Sequence, residues 1–256
     1  MTHPLTTKTV YVEGDDDVGI LQVWFPSIPS FTKAGGKDEV AKRTQSDTAC
    51  HGLKDRDFAT DTEVAASRAP DSRLALLRRY CIENYLLEPD IIASAMSAMP
   101  ALKPALATWE DQAFVRRQLI QWGTELALYA AANSIIAEWK LIVETDFRRY
   151  FFSLPPLPRE RVVEELRRRL ALLTRPEDVD HILEARFTQV QQDVTTWDGL
   201  HRWIIGKVLL EQYLYPQVFK PTGLAQARLR DALIEAGKGR VPAELQELAA
   251  RWSLPF

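Results

Sequence analysis

The chain has 256 residues, of which 46% are hydrophobic, and a formal net charge of −3. This length and composition can fill a core for one large domain or two small ones, which excludes disorder throughout. The two cysteines, Cys50 and Cys81, show no CxxC spacing, so neither a zinc site nor a disulfide framework is indicated. The first residues lack a basic segment followed by an apolar one, and no apolar run reaches about 18 uncharged residues, so we expect a cytoplasmic protein without a membrane span.

The first predicted element is a β-branched strand at residues 9–12, which ends in a glutamate, a glycine and three aspartates at 13–17. A helix follows at 18–25, and Pro26 ends it. In an open α/β sheet, ligands collect beyond the carboxyl ends of the strands. An acidic turn at this place therefore indicates a metal site.

Two further strands are predicted at 30–33 and 49–53, with a helix at 37–43 between them. The later strand ends in an acidic segment that contains Asp55 and Asp57. Because residues two apart in a strand point to the same side, we expect both aspartates to face one ion while the arginine between them turns away.

Right-handed crossovers place the ends of parallel strands along one rim of the sheet, where Glu13 would meet Asp55 and Asp57. Carboxylate oxygens in this number suit Mg²⁺ or Mn²⁺ and metal-assisted phosphodiester chemistry. The sequence leaves two interpretations of Asp17, as a nearby metal ligand or as a helix cap. The two aspartates before it are interpreted as helix caps.

The rest of the chain changes from alternating elements to helices. A fourth strand is predicted at 74–77, followed by a helix that runs to Met99. We therefore predict an α/β domain at 1–103 and a helical domain at 104–256 that serves dimerisation, substrate or partner binding. The predicted helices of the second domain span 108–143, 159–173, 176–194, 197–215, 222–236 and 242–252.

A basic stretch at 147–175 contrasts with the acidic first 71 residues. It holds eight arginines against three glutamates, whereas residues 1–71 hold twelve acids against eight bases. Because three consecutive arginines at 167–169 spread around a helix, we expect a solvated or interface helix, and a face that tracks phosphate is the alternative.

Three charged residues remain open between a role in the site and an ordinary one. Lys207 follows a glycine within an apolar helix and is a candidate to contact phosphate, with a snorkelling surface lysine as the alternative. Glu83 is interpreted as a metal ligand, as a group beside the ligands, or as a buried partner of Arg78 or Arg79. Asp61 is either a further ligand or a loop acid that caps a helix.

Two of these segments carry a family resemblance. Residues 13–17, EGDDD, resemble the EGxxD opening of TOPRIM domains, and residues 55–57, DRD, resemble their DxD motif. The resemblance covers residues 8–100 and implies an α/β fold, with a TOPRIM-like parallel sheet flanked by helices, followed here by an all-helical C-terminal region. It also implies a Mg²⁺-dependent site.

The resemblance implies a role for each matching residue. Glu13 would act as acid or base and as a metal ligand, Asp55 and Asp57 would bind the metal, and Asp17 would be a nearby ligand. With Lys207 as the second candidate catalytic residue, these five form the predicted site.

A closer likeness rests on residues 82–87 and Pro89 together with the helical C-terminal region. These features are similar to stand-alone TOPRIM nucleases encoded beside ABC-type ATPases in bacterial anti-phage systems, such as the effector subunit of the PARIS system. The likeness implies an effector that a separate ATPase holds inactive and that attacks transfer RNA, rather than DNA, after infection. The chain has no GxxxxGK[ST] loop, so ATP hydrolysis would belong to another chain.

The sequence therefore predicts a Mg²⁺- or Mn²⁺-dependent endonuclease. The alternatives are a catalytically inactive TOPRIM-like interaction subunit of an ATPase assembly and, more weakly, a phosphotransferase that is not a nuclease. We also expect self-association, because a small domain that acts on a large polymer commonly uses a second copy and the helices are rich in apolar residues.

Overall fold

A computed structural model of the chain describes residues 9–28, 30–99, 106–140, 151, 155–171 and 176–254. Four short parallel strands form one sheet in the order β2-β1-β3-β4. The central strands β1 and β3 pair directly, so their carboxyl ends meet at one edge of the sheet. The strands are β1 Thr9–Val12, β2 Ser30–Lys33, β3 His51–Lys54 and β4 Leu74–Leu76.

Helices follow each strand, as expected for parallel crossovers. Thr60 caps α3 through its side chain, which accepts the N–H of Glu63, while the Glu63 carboxylate accepts the N–H of Thr60. Pro89 begins α4, at a position where its missing N–H costs nothing. These elements are α1 Asp15–Trp24, α2 Lys37–Ser46, α3 Asp61–Ser67, a 3₁₀ turn Ile82–Tyr85 and α4 Pro89–Ser97.

The rest of the described chain is helical, and the prediction of an α/β fold with a parallel sheet is confirmed. One buried apolar cluster runs from the sheet into these helices, and the Trp24 indole N–H donates to the Ile234 carbonyl at 2.9 Å. The predicted domain boundary at 103/104 lies outside the described residues. The elements are a 3₁₀ turn Ala107–Glu110, α5 Gln112–Lys140, α6 Arg159–Leu170, α7 Pro176–Asp193, α8 Trp197–Trp203, α9 Gly206–Val208, a π-helical segment Leu209–Phe219, a 3₁₀ turn Lys220–Thr222, α10 Gln226–Gly237 and α11 Ala243–Arg251.

The prediction of one continuous helix at 197–215 is wrong, because the helix ends at Trp203 and restarts at Gly206. The buried Asn84 side chain holds the break open. Its Nδ2 donates to the Ile204 carbonyl at 2.9 Å, and its Oδ1 accepts the Gly206 N–H at 3.0 Å. A Cβ at position 206 would lie 2.4 Å from the backbone nitrogen of Asn84, so only glycine allows this approach.

The described surface bears on two expectations from the sequence. Within the described ranges, no helix combines the length and the apolar character needed to cross a bilayer. Leu157 is the exposed large hydrophobic residue found among the described residues. Self-association stays a prediction.

Candidate functional site

Four carboxylates lie at the carboxyl edge of the sheet, and we call Glu13, Asp17, Asp55 and Glu83 the carboxylate cluster. The Glu13 Oε1 accepts the Asp55 N–H at 2.9 Å, which joins the ends of β1 and β3. The Asp55 Oδ1 accepts the Ile82 N–H at 3.2 Å, which adds the turn that carries Glu83. Asp17 and Asp55 line the same small cavity. The parallel sheet has therefore brought together groups that are far apart in sequence.

The electrostatics show how closely these carboxylates crowd one another. Burial, with the charges of Glu83, Glu13 and Asp16, raises the pKa of Asp17 to about 7. Burial, with Asp17, Glu13 and Glu83, raises the pKa of Asp55 well above its usual range. Burial also raises the pKa of Glu13, although nearby lysines oppose this shift. A bound cation would relieve this repulsion and the loss of solvation.

Lys37 supplies a positive charge beside the cluster, and the sequence prediction missed it. It begins α2, which is separated by three residues from β2, the strand that neighbours β1. Burial lowers the pKa of the Lys37 ammonium, while the charges of Glu13 and Asp55 support its ionised form. The ammonium pairs with Asp57. The available signal was its position shortly after a strand, although Lys37 follows β2 by four residues whereas Glu13 and Asp55 follow their strands directly.

Asp57 lies next to the cluster, but its backbone is not that of a strand. β3 ends at Lys54, and Asp57 adopts a left-handed conformation with φ of 48°. Its N–H donates to the Tyr80 carbonyl at 3.0 Å, and its carboxylate pairs with Lys37. The expectation that Asp55 and Asp57 point to one side by strand alternation is therefore not met.

The sequence predicts that Arg56 turns away from the ion faced by Asp55 and Asp57, and in the structure it bonds with groups outside the carboxylate cluster. Its side chain is buried and donates to the carbonyls of Ala59 and Arg78, both at 3.0 Å. It also pairs with Asp61 at 2.6 Å. Asp61, at the start of α3, pairs in addition with Arg202 at 3.0 Å, so the structure engages it in ion pairs with arginines rather than with the cluster.

Lys207 lies near the cluster and joins the two halves of the chain. Its Nζ is 3.1 Å from Asp16 and 3.9 Å from Glu211. Arg230 also pairs with Asp16, at 2.7 Å. Burial opposes ionisation of Asp16, but these ion pairs outweigh it and lower the pKa of that carboxyl. Burial opposes ionisation of the Lys207 ammonium, but the hydrogen bond and charge of Asp16, together with the charges of Glu211 and Glu83, raise its pKa.

Glu83 belongs to the cluster, and Arg78 and Arg79 pair with Glu247 and Glu88 instead. Its turn is fixed by the neighbouring Asn84, which the sequence did not single out. The Asn84 Oδ1 also accepts the Cys81 N–H at 3.1 Å, but the partners His201, Ile204 and Gly206 lie at the junction between α8 and α9, which no local pattern predicts.

The arginines of α6 are already paired. Each forms an ion pair with a carboxylate on α6 or α7, which favours the interpretation as a solvated or interface helix. The remaining three arginines of the basic stretch, at 148, 149 and 175, lie outside the described residues. The pairs are Arg159–Glu184, Arg161–Glu164, Arg167–Asp180, Arg168–Glu165 and Arg169–Glu165.

The donor chemistry of the carboxylate cluster fits a hard divalent cation, since all of its side-chain donors are carboxylate oxygens. Across the described residues, however, no three His, Cys, Asp or Glu side chains are arranged to hold a metal ion as they stand. Glu13, Asp17 and Asp55 would have to reorient to share one ion.

Comparison with known protein families finds no family model that matches this chain, and no curated protein matches it either. The chemistry of the site must therefore be argued from its own residues.

Proposed function

We propose that this chain is a Mg²⁺-dependent endonuclease with a TOPRIM-like catalytic domain. One observation carries the proposal, namely the carboxylate cluster at the carboxyl edge of a parallel sheet. Crowded, buried carboxylates with raised pKa values are costly to maintain and are typical of sites that bind a cation or move protons. The order of the acidic segments along the chain agrees with the TOPRIM resemblance.

Each residue has a role in the proposed reaction. Asp55, Asp17 and Glu13 would hold the metal, which supplies Lewis acidity at the scissile phosphate and activates a water molecule. Glu13 has a raised pKa and would move the proton as general acid or base. The ammonium groups of Lys37 and Lys207, next to the cluster, would bind and orient the phosphate oxygens.

The substrate and the regulation belong to the same proposal. Transfer RNA is favoured over DNA, and control by a separate ABC-type ATPase is favoured over autonomous activity, in a cytoplasmic anti-phage system. Both rest on the likeness of residues 82–89 and the helical region to ATPase-linked effectors.

Cleavage assays with isosteric variants test the proposal. Purified protein, free of any partner and supplied with Mg²⁺ or Mn²⁺, should cleave transfer RNA in preference to other RNA and DNA. Glu13→Gln and Asp55→Asn should each reduce the cleavage rate by a factor of about 10² or more. Asp15→Asn is the matched control, because Asp15 is exposed and pairs with Lys33 outside the cluster. Equal rates for the wild type and Glu13→Gln would refute the catalytic claim.

One observation favours the alternative, a catalytically inactive subunit of an ATPase assembly. The Lys37 ammonium pairs with Asp57 and lies near Glu13 and Asp55, so a cation of the protein itself already partly neutralises the acidic edge. Calorimetry with Mn²⁺ separates the two functions. A binding signal that disappears in an Asp55→Ala/Asp57→Ala variant supports the enzyme, whereas no signal in the wild type supports the inactive subunit.

A further inference from the structure

A cleft of about 780 Å³ opens beside the turn that carries Asp55, and we call it the arginine cleft. Its walls come from α3, the segment after β4, the junction between α7 and α8, and α11. The volume lies in the range of sites that hold nucleotide-sized ligands. The arginines that line it are Arg56, Arg68, Arg78, Arg79 and Arg202.

Two of these arginines share a single carboxylate. Arg56 and Arg202 approach the two oxygens of Asp61 at 2.6 and 3.0 Å. A guanidinium fork fits a phosphate as well as it fits a carboxylate. The Asp61 side chain is 69% exposed, so it can leave the pair at little cost in burial. Asp61 therefore occupies the position that an incoming phosphate would take.

The other acids of the cleft do not neutralise this pair. Glu244 is buried and engaged by Arg68 at 2.6 Å. Asp193 accepts the indole N–H of Trp203 at 2.8 Å. Asp198 is exposed, where water screens its charge. Arg56 and Arg202 bring two positive charges to one exposed carboxylate, so the ion-paired group itself carries a net positive charge.

His201 adds an unsatisfied donor to the wall of the cleft. The bonds of Asn84 to Gly206 and Ile204 fix the orientation of its amide, so its Nδ2 donates to the His201 Nδ1 at 3.2 Å. The neutral imidazole then carries its proton on Nε2. This buried nitrogen has no hydrogen-bond partner among the described residues.

We propose that the arginine cleft binds a backbone phosphate of the nucleic acid strand, which displaces Asp61 from Arg56 and Arg202. The inference rests on the proposed function for the identity of the ligand. Arg56 stands between Asp55 and Asp57 in the chain, so the phosphate would be anchored on the same turn that carries Asp55. The cleft thus holds the substrate next to the site of cleavage.

Binding measured without cleavage tests this proposal. The background is the Asp55→Asn variant in EDTA, and the probe is a short fluorescein-labelled single-stranded RNA titrated at several salt concentrations. Arg202→Gln should weaken binding. It should also make the negative slope of log affinity against log salt shallower by about 1. Asp61→Asn should tighten binding by about threefold, because it removes the competing carboxylate. Misfolding cannot produce such a gain.

The matched control is Arg167→Gln, because the Arg167 side chain is 43% exposed and pairs with Asp180 outside the cleft. It should leave both affinity and salt slope unchanged. Equal effects of Arg202→Gln and Arg167→Gln, or unchanged or weaker binding in Asp61→Asn, would overturn the proposal. Displacement of the RNA by AMP at similar concentrations would overturn the assignment to a strand.

These results are separate from those of the cleavage assay. The binding assay needs neither metal nor turnover. Failure of the wild type to cleave would therefore refute the proposed nuclease activity, but not the proposal that the cleft binds nucleic acid. Cleavage by the wild type together with unaltered binding in both cleft variants would refute only the proposed role of the arginine cleft.

Discussion

At the scale of single residues, the ionised Asp17 carboxylate should destabilise the metal-free protein. Its pKa in the folded state is about 7, against a usual value of 3.8. The folded protein therefore holds a proton that the unfolded chain releases, and this contribution to stability is lost as the pH rises from about 4 through 7. Asp17→Asn should raise the free energy of unfolding by about 2 kcal/mol at pH 8.

Urea denaturation in EDTA at about pH 4 and pH 8 checks this prediction. The difference between Asp17→Asn and the wild type should be large at the higher pH and small at the lower one. Asp15→Asn is the control, because Asp15 lies on the same helix but is exposed and pairs with Lys33 outside the cluster. This control should keep the free energy of unfolding close to that of the wild type at both pH values. A gain in Asp17→Asn that is the same at both pH values would contradict the shifted pKa.

Residues of the site differ in how far the sequence could predict them. Glu13 and Asp55 could be placed because each directly follows a short apolar strand, and parallel strands share an edge. Lys37 also comes after a strand, but three residues separate it from β2, and a lysine at the start of a helix is too common to stand out. Glu83 could not be assigned, since its neighbours in the cluster come from other strands.

At the scale of the elements, the junction between α8 and α9 should control both stability and the site. Gly206→Ala would place a Cβ 2.4 Å from the Asn84 nitrogen and push on the turn that carries Glu83. We expect a loss of about 1–3 kcal/mol in the free energy of unfolding and weaker Mn²⁺ binding. Urea denaturation and calorimetry measure the two effects.

Gly19→Ala is the matched control for this substitution. Gly19 lies in α1, and a Cβ there would meet no atom within 4 Å. It should stabilise the protein by about 0.5–1 kcal/mol, because alanine has the higher helix propensity. Equal stabilities of Gly206→Ala and the wild type would show that the close approach to Asn84 is not required.

The break between α8 and α9 shows the limit of local patterns. The sequence around it is apolar and compatible with one helix, so periodicity predicts continuity. The group that interrupts it, Asn84, lies 120 residues away from Ile204 in the chain. The position of β1 was easier to predict, because a short β-branched run that ends in a glycine and acidic residues reflects local preferences.

At the scale of the whole molecule, α11 ties the C-terminal region to the sheet through one buried carboxylate. Glu244 pairs with Arg68 at 2.6 Å, and both side chains are about nine-tenths buried. Its Oε1 also accepts the N–H of Arg78 at 3.0 Å. Glu244→Gln should lower the free energy of unfolding by about 3 kcal/mol, since it leaves a buried arginine without its counter-ion.

Denaturation followed by tryptophan fluorescence and by circular dichroism checks this prediction. The wild type should unfold in one transition, because a single apolar cluster spans both halves of the chain. Glu247→Gln is the control, as Glu247 is exposed and lies 3.5 Å from Arg78. A loss in Glu244→Gln no greater than that in the control would show that the buried pair contributes little.

The fully buried Asn84 has a consequence for the order in which the protein acquires its site. Its amide bonds with residues 201–206 as well as with Cys81, so a chain still on the ribosome lacks the distant contacts until translation has passed residue 206. The turn that carries Glu83 is then fixed last among the parts of the carboxylate cluster. For the proposed nuclease, this delay would keep nascent chains harmless to the cell that translates them.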